Sequence, residues 1–192
     1  EWGGPSKLDI HGSNAAWISN PIWRLVNALG TMRDNDDNIL IDGFYDEVAS
    51  LDEMDEYYTE RMAEVLDEDM YLNKRFYATR FIHGKPGRDA LRDLLWKPTL
   101  NIDGIWGGYI GPATKTIVPY HATCKVDVRL VPNMRPERTL ELIRKHLDRH
   151  GYSDIILTRR QGTPYSKVNA DSSLAKACIS AMEMSGYPEN TV

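Results

Sequence analysis

The stretch that decides the fold is Thr123-Cys124-Lys125-Val126-Asp127-Val128-Arg129-Leu130. Apolar and polar side chains alternate along it, which is typical of a strand with one buried face. Because successive side chains of a strand point to opposite faces of its sheet, the two sets are separated. The pattern therefore predicts that Arg129 lies on a polar sheet face, together with Asp127 and Lys125.

Two helices are predicted on either side of this strand. Asn20-Pro21 is a helix start, because Asn is a good N-cap and Pro fits the first helical turn. Apolar residues follow it at helical spacing: Ile22, Leu25, Val26, Leu29 and Met32. Pro136 begins the second helix, which has an apolar stripe of Leu140, Ile143 and Leu147 and a stop at Gly151.

Strands are predicted at residues 7–11, 99–105 and 154–158, and a last helix at residues 173–184. Residues 39–98 differ in texture, with an extended piece at 39–45 and helical segments near 56–66, 71–81 and 89–96, and are interpreted as a mostly helical insertion. Without the insertion, the order is strand, helix, strand, strand, helix, strand, the split βαβ pattern. We therefore expect an α+β fold: a ferredoxin-like four-stranded antiparallel sheet with two helices on one face.

Composition narrows the class of protein. The chain has 192 residues and a net charge of −5, with no basic run, so nucleic acid is not expected as a partner. No apolar stretch reaches the roughly 20 residues that span a bilayer, and no membrane association is expected. With only two cysteines, Cys124 and Cys178, a disulfide framework is not expected and a reducing cytoplasm is the default location.

Three stretches, in order, resemble the carnosinase, aminoacylase and succinyl-diaminopimelate desuccinylase family of zinc metallopeptidases. They are Asp9-Ile10-His11-Gly12-Ser13 leading to Asn20-Pro21, then Lys115-Thr116-Ile117-Val118-Pro119, then Val128-Arg129-Leu130-Val131-Pro132-Asn133. Gly43-Phe44-Tyr45-Asp46 resembles the longer, carnosinase-type members. The chain departs from the family pattern in having Gly12-Ser13 after the histidine and Ala15-Ala16 further on.

The resemblance implies that residues 5–165 are the lid, or dimerisation, domain of such an enzyme. In this family the lid is inserted into a zinc-binding catalytic domain. The chain opens at Glu1 without Met and stops directly after the predicted last helix, so we expect a part of a longer protein. Residues 166–192 then represent the start of the return into the catalytic domain.

The resemblance also assigns roles to three residues. His11 matches the histidine that reaches across the dimer and stabilises the oxyanion formed during amide hydrolysis. Arg129 matches the arginine that holds the terminal carboxylate of the substrate, and Thr116 matches a polar residue of the same pocket. The implied parent is a homodimeric hydrolase with one or two zinc ions, acting on a small peptide or N-acyl amino acid. Taken from the residues alone, a loop histidine and a surface arginine remain open alternatives for His11 and Arg129.

The chain itself is predicted to bind no metal. His146-Leu147-Asp148 imitates a zinc-binding pair, but residues i and i+2 of a helix point to different faces. His146 and His150 share a face, yet the Glu of a helical His-Glu-x-x-His site is missing. The chain has no adjacent pair of glutamates, which the family uses for its base and a bridging ligand. Cys124, facing the predicted core, and Cys178, packing on the last helix, are not expected to act as nucleophiles.

The sequence leaves two main interpretations of the function. The first is the lid of a metal-dependent exopeptidase or amidohydrolase, inactive without its catalytic domain. The second is a stand-alone ferredoxin-like module that binds a small ligand and regulates a partner, since this fold supports many functions. A plain oligomerisation domain is a weaker third interpretation.

Overall fold

A computed structural model describes residues 1–169 and 171–187. The chain divides into two compact units. The first comprises Glu1–Glu47, Pro98–Leu130 and Met134–Pro164, and the second comprises Val48–Lys97, Val131–Asn133 and the described residues from Tyr165 onward. No helix in the described part of the chain is long and apolar enough to cross a membrane.

The first unit contains a three-stranded antiparallel sheet in the order β1-β5-β3. Its strands are β1 (Trp2–Gly3), β3 (Thr99–Gly107) and β5 (His121–Arg129). The alternating stretch thus forms the central strand β5, as predicted. β3 pairs with β5 along its whole length, and a bulge between Ile102 and Gly104 shifts the register.

A separate two-stranded ladder pairs β2 (Ile10–His11) with β4 (Ile117–Val118). The expected strand at residues 7–11 is therefore shorter than predicted and does not join the main sheet. The short strand β1 pairs with β5 instead, and Trp2 is opposite Ala122. Two residues at the chain start carry too little periodicity for a sequence pattern to reveal them.

The expected strand at residues 154–158 is not formed as a regular strand. Ile156 and Glu1 nevertheless exchange backbone hydrogen bonds, with N–O distances of 2.8 and 3.0 Å. Ile155 is buried, so its apolar character reflects packing rather than a strand. The structure is accordingly a mixed fold of helices and small antiparallel sheets, and it does not confirm the regular four-stranded, ferredoxin-like sheet.

Helix α1 (Pro21–Gly30) lies against all three strands of the main sheet. It begins as predicted, because the Asn20 side-chain oxygen accepts a hydrogen bond from the Ile22 N–H at 2.8 Å. The buried stripe differs from the prediction: it is formed by Leu25 and Ala28, continued by Met32, whereas Val26 is 40% exposed. Ala28 is buried although its side chain is small, and the prediction includes only large apolar residues.

The second predicted helix is α4 (Pro136–Arg149), followed by Gly151 in the left-handed conformation (φ 81°). Its buried face is rotated from the prediction, since Leu140 is only half-buried. The residues buried along it are Thr139, Leu142, Ile143, His146 and Leu147. A buried histidine and threonine are polar, which is why the apolar pattern missed them.

The second unit contains helices α2 (Glu53–Glu64) and α3 (Gly87–Trp96), which pack together, and α5 (Ser173–Met184). Asp52 and Asp55 form a capping box that starts α2 three residues before the predicted segment. Between α2 and α3, the expected helix at 71–81 is a π-helical turn over Met70–Phe76, ended by Tyr77 with φ 51°. The expected extended piece at 39–45 is limited to an isolated antiparallel bridge of Ile39 with Arg33, and residues 42–45 are turns.

α5 agrees with the predicted last helix, but Cys178 on it is exposed rather than packed. Cys124 is half-buried, and burial raises the pKa of its thiol. Cys124 therefore lacks the exposed, low-pKa environment of a nucleophilic thiol. Of the predicted return segment at 166–192, residue 170 and residues 188–192 lie outside the described residues.

Candidate functional site

The ladder of β2 and β4 brings two of the three expected site residues together. His11 is opposite Ile117, and the Gly12 N–H donates to the Thr116 carbonyl oxygen at 2.9 Å. A Cβ at position 12 would lie 3.2 Å from the Thr116 carbonyl carbon, so glycine permits this close approach. Both His11 and Thr116 are exposed at the end of the ladder.

The geometry around His11 decides which ring nitrogen carries the proton. The backbone N–H of Ser13 points at Nδ1 across 3.2 Å, and the Ser13 hydroxyl lies 2.9 Å from the same nitrogen. A backbone N–H can only donate, so Nδ1 is an acceptor and the neutral ring carries its hydrogen on Nε2. Within residues 1–169 and 171–187, nothing accepts a hydrogen bond from Nε2. His11 thus presents a free N–H donor to solvent.

Arg129 is the last residue of β5 and is opposite Thr99. Its Nε forms an ion pair with the Asp127 carboxylate at 2.8 Å, and its side chain is 79% exposed. As predicted, residues two apart on the strand share the polar face. The ion pair is formed at Nε, so the two terminal nitrogens of this exposed guanidinium are left to bind both oxygens of a carboxylate.

The structure does not bring Arg129 to the other two residues. The β2–β4 ladder lies just before His121, the first residue of β5, whereas Arg129 is the last residue of that strand. A strand rises about 3.3 Å per residue, so the Cα atoms of His121 and Arg129 are about 26 Å apart. One copy of the chain therefore presents a histidine and threonine at one end of β5, and an arginine at the other.

Metal binding has no support in the residues described. Across 1–169 and 171–187, no three or more His, Cys, Asp or Glu side chains are grouped so that they could hold an ion. The histidine and aspartate on α4 that imitate a zinc-binding pair have other partners. His146 Nε2 lies 3.0 Å from the Thr31 hydroxyl, and Asp148 forms an ion pair with Arg144 at 2.8 Å. Burial, and secondarily the nearby His150, lowers the pKa of His146.

Sequence reasoning missed the residues that hold His11. Ser13 contacts its ring, and the Asn14 side chain donates to its carbonyl oxygen at 3.0 Å. A usable signal was present, because Ser and Asn two and three residues after a histidine can hydrogen-bond to neighbouring backbone and end an extended segment. The short 3₁₀ turn Gly12–Ala16 is the local structure that results.

The sequence matches a known family model over most of its length. The model describes the peptidase dimerisation domain and matches residues 7–155. Beta-Ala-His dipeptidase from Rattus norvegicus is 33% identical over 142 residues, which are 73% of this chain and 28% of that protein. Cys-Gly metallodipeptidase DUG1 from Saccharomyces cerevisiae is 30% identical over 146 residues, 76% of this chain and 29% of that protein.

Solved structures with a similar fold include two peptidases. The M20 family metallo-carboxypeptidase Sso-CP2 from Sulfolobus solfataricus has a TM-score of 0.81 and 32% identity, covering 97% of this chain and 48% of that chain. Human carnosine dipeptidase 1 has a TM-score of 0.79 and 26% identity, covering 94% and 39%. The chain spans 28% of the length of the first curated relative that it matches. These matches confirm the family resemblance that the three sequence stretches suggested.

Proposed function

The chain belongs to the peptidase dimerisation domain family, and on that premise we propose that it is the dimerisation and substrate-capping domain of a metal-dependent exopeptidase or amidohydrolase. The parent cleaves a peptide or N-acyl amide bond next to a free carboxylate. The observation that carries the proposal is the ladder that joins His11 to the Thr116 segment and leaves the His11 Nε2–H free. The names of the relatives, two kinds of dipeptidase, support a dipeptide-like substrate.

The metal of the parent, which we propose to be one or two zinc ions, is held by residues outside this chain. The described residues offer no set of ligands that fits a metal. We propose that this chain alone is inactive. Its contribution is to bind and orient the substrate and to supply hydrogen-bond donors.

His11 is proposed to stabilise the oxyanion that forms on the scissile carbonyl. A donor aimed at this oxygen is worth about 10²- to 10³-fold in turnover in enzymes where one has been removed. Its Nε2–H meets that requirement as a donor that is not used within the described chain. Thr116, whose carbonyl oxygen accepts a hydrogen bond from the Gly12 N–H, is proposed to add a hydroxyl to the same pocket.

Arg129 is proposed to hold the free carboxylate of the substrate. A planar guanidinium can donate to both oxygens of a carboxylate at once. The ion pair with Asp127 uses Nε and thereby restricts the orientation of the guanidinium plane. The proposed specificity for a free carboxylate rests on this residue.

The distance along β5 between its two ends supports a division of labour in a homodimer. His11 and Thr116 are proposed to enter the active site of the partner protomer, while Arg129 serves the active site of its own chain. Each active site then takes residues from two lids. A monomer would have an incomplete site for this reason.

The dimer contact is proposed to include β3 and an apolar strip that consists of Ile102 and Ile105 on β3 and Val126 on the neighbouring β5. β3 is the last strand in the sheet order, and Ile102 is directly opposite Val126 on one face. The three side chains are 46%, 44% and 38% exposed. An edge strand with exposed apolar neighbours is a surface that favours pairing with another chain.

Three finer points are also proposals. The lid extends over residues 5–165 with the insertion at about 39–98, and residues 166–192 return to the catalytic domain. The segment around Ile156 completes a four-stranded ferredoxin-like sheet with a helix pair on one face, which is supported by its reciprocal hydrogen bonds with Glu1. The location is the cytoplasm, which the paucity of cysteines supports.

The test is amino-acid release by the full-length protein from a panel of dipeptides and N-acyl amino acids, with and without a metal chelator. Release that the chelator abolishes supports the proposal and identifies the substrate class. Absence of release from folded, zinc-loaded protein favours the alternative of a small-ligand module, to which calorimetric titration with amino acids is then applied. The family match already favours the peptidase lid over that module.

The role of His11 is tested by substitutions that move the side-chain hydrogen-bond donor to or away from the position of Nε2. Gln puts an amide nitrogen close to where Nε2 lies, whereas Asn puts one near Nδ1. We expect His11→Ala to lower kcat by about 10²- to 10³-fold, His11→Gln to retain more activity than His11→Asn, and KM to change little. Equal loss in the Gln and Asn variants would count against a donor at the Nε2 position.

A further inference from the structure

We propose that Ser13 and Asn14 are positioning residues for His11: Ser13 holds the imidazole in the tautomer with hydrogen on Nε2, and Asn14 fixes the backbone from which the ring projects. The catalytic consequence rests on the proposed function of His11, whereas the tautomer is a property of this chain alone. The contacts that carry the inference are four hydrogen bonds within residues 11–17.

The ring is held by two donors from one residue. The Ser13 backbone N–H and the Ser13 hydroxyl both lie within hydrogen-bond distance of His11 Nδ1, at 3.2 and 2.9 Å. With Nδ1 accepting, the alternative neutral tautomer is disfavoured because its Nδ1–H would face the backbone N–H. An oxyanion needs a donor, so a ring in the wrong tautomer would present a lone pair to it instead.

The backbone of His11 is held by a second chain of hydrogen bonds. The Asn14 amide nitrogen donates to the His11 carbonyl oxygen at 3.0 Å, and the Asn14 amide oxygen accepts from the Trp17 indole N–H at 2.9 Å. The carbonyl can only accept and the indole can only donate, so the two contacts agree on a single orientation of the amide. Trp17 thus keeps the Asn14 nitrogen turned toward His11, although the Trp17 ring is itself 79% exposed.

The arrangement differs from an ordinary cap of a short turn. The usual capping residues are Ser, Thr, Asp and Asn, which place one oxygen over the turn and end there. A histidine in that position uses Nδ1 for the cap and has a second nitrogen left over. The hydrogen bond from the Ser13 N–H to His11 Nδ1 therefore both caps the turn and selects the tautomer, and it leaves the Nε2–H free.

The experiment compares Ser13→Ala, Ser13→Thr and the control Ser19→Ala in the full-length protein with ¹⁵N-labelled histidine. Ser19 is an exposed serine on the same loop. The His11 ring signals, identified by their loss in His11→Gln, distinguish the tautomers through the shift of each nitrogen. Thermal unfolding verifies that each variant is folded.

Ser13→Ala loses the hydroxyl but keeps the backbone N–H. We therefore expect it to raise the population of the Nδ1–H tautomer only in part and to lower kcat about 5-fold with little change in KM, as for one lost neutral hydrogen bond. Ser13→Thr restores both readouts because it keeps the hydroxyl, and Ser19→Ala resembles the wild type. Asn14→Asp, which loses the donor to the His11 carbonyl but keeps an acceptor for Trp17, lowers kcat without altering the tautomer.

The two levels of the inference fail in different ways. A wild-type tautomer and kcat in Ser13→Ala, alongside a large loss in His11→Ala, would overturn the positioning role and leave the proposed function intact. Wild-type kinetics in His11→Ala itself would overturn the proposed function, and the nitrogen shifts would still decide whether Ser13 selects the tautomer.

Discussion

His11 and Arg129 belong to opposite ends of strand β5. His11 is paired with Ile117 in the ladder that precedes the strand, and Arg129 is paired with Thr99 where the strand closes. About 26 Å of extended chain lies between the ends of β5, which is too far for both side chains to contact one small substrate from the same end. This relationship leads to a prediction that concerns the assembly rather than a single residue.

Mixing two inactive variants is expected to restore activity. In a heterodimer of His11→Ala and Arg129→Ala protomers, one active site combines an intact arginine from its own chain with an intact histidine from the partner. The other site lacks both. Co-expressed, differently tagged protomers purified as the heterodimer should therefore recover up to about half of the wild-type kcat, since one of two sites is complete. No recovery would indicate that both residues serve the same site.

Arg129→Ala is expected to weaken substrate binding more than turnover. Loss of a charge-assisted, two-pronged contact with a carboxylate is worth roughly 1.5–3 kcal/mol, or about 10- to 150-fold in KM. Arg129→Lys keeps the charge but not the planar fork, so it should recover only part of the loss. Steady-state kinetics with a substrate and its carboxamide analogue measure the effect. The penalty should vanish with the carboxamide, and a penalty that persisted would exclude contact with the carboxylate.

Asn20→Ala is expected to destabilise the first unit by about 1 kcal/mol, because it removes the hydrogen bond that starts α1. Asn20→Asp keeps an oxygen acceptor and should remain close to the wild type. Urea unfolding followed by circular dichroism compares the two. An equal loss of stability in both variants would show that the capping hydrogen bond is not the cause.

The buried His146 is expected to make stability depend on pH. Burial lowers its pKa in the folded state below the ordinary value of about 6.5, so the unfolded chain binds the proton more readily. The associated stability is fully present above pH of about 6.5 and is lost as the pH falls through the lowered folded pKa. His146→Gln, which can still hydrogen-bond Thr31, should remove this part of the dependence. An unchanged slope in thermal melts between neutral and mildly acidic pH would contradict the assignment.

Asp154 is expected to contribute a second, more acidic dependence. Its carboxylate accepts from Arg24 Nε at 2.6 Å, and this hydrogen bond lowers the pKa of Asp154. The contribution is present above the unfolded pKa of about 3.9 and disappears as the pH falls through the lowered folded value. Since both side chains are partly exposed, Asp154→Asn should cost no more than about 1 kcal/mol near neutral pH. A loss that is equally large at strongly acidic pH would show that the ion pair is not its source.

Several features of the fold follow from local sequence. The alternation around Val126 predicts β5, and the pairs Asn20-Pro21 and Arg135-Pro136 predict where α1 and α4 begin. These succeed because strand periodicity and helix caps depend on neighbouring residues alone. The burial of Ala28 and His146 was not predictable in this way, because it depends on which element packs against each helix.

The sequence by itself determined the family, the central strand and the identity of His11, Thr116 and Arg129 as candidates, because short motifs in a fixed order record them. Only the tertiary structure decided that His11 and Thr116 lie together while Arg129 lies apart, and that Ser13 lies within hydrogen-bond distance of His11 Nδ1. The physical reason is that β2 and β4 are separated by about a hundred residues in the chain and meet through long-range backbone pairing. Such pairing depends on the whole unit, and no local pattern encodes it.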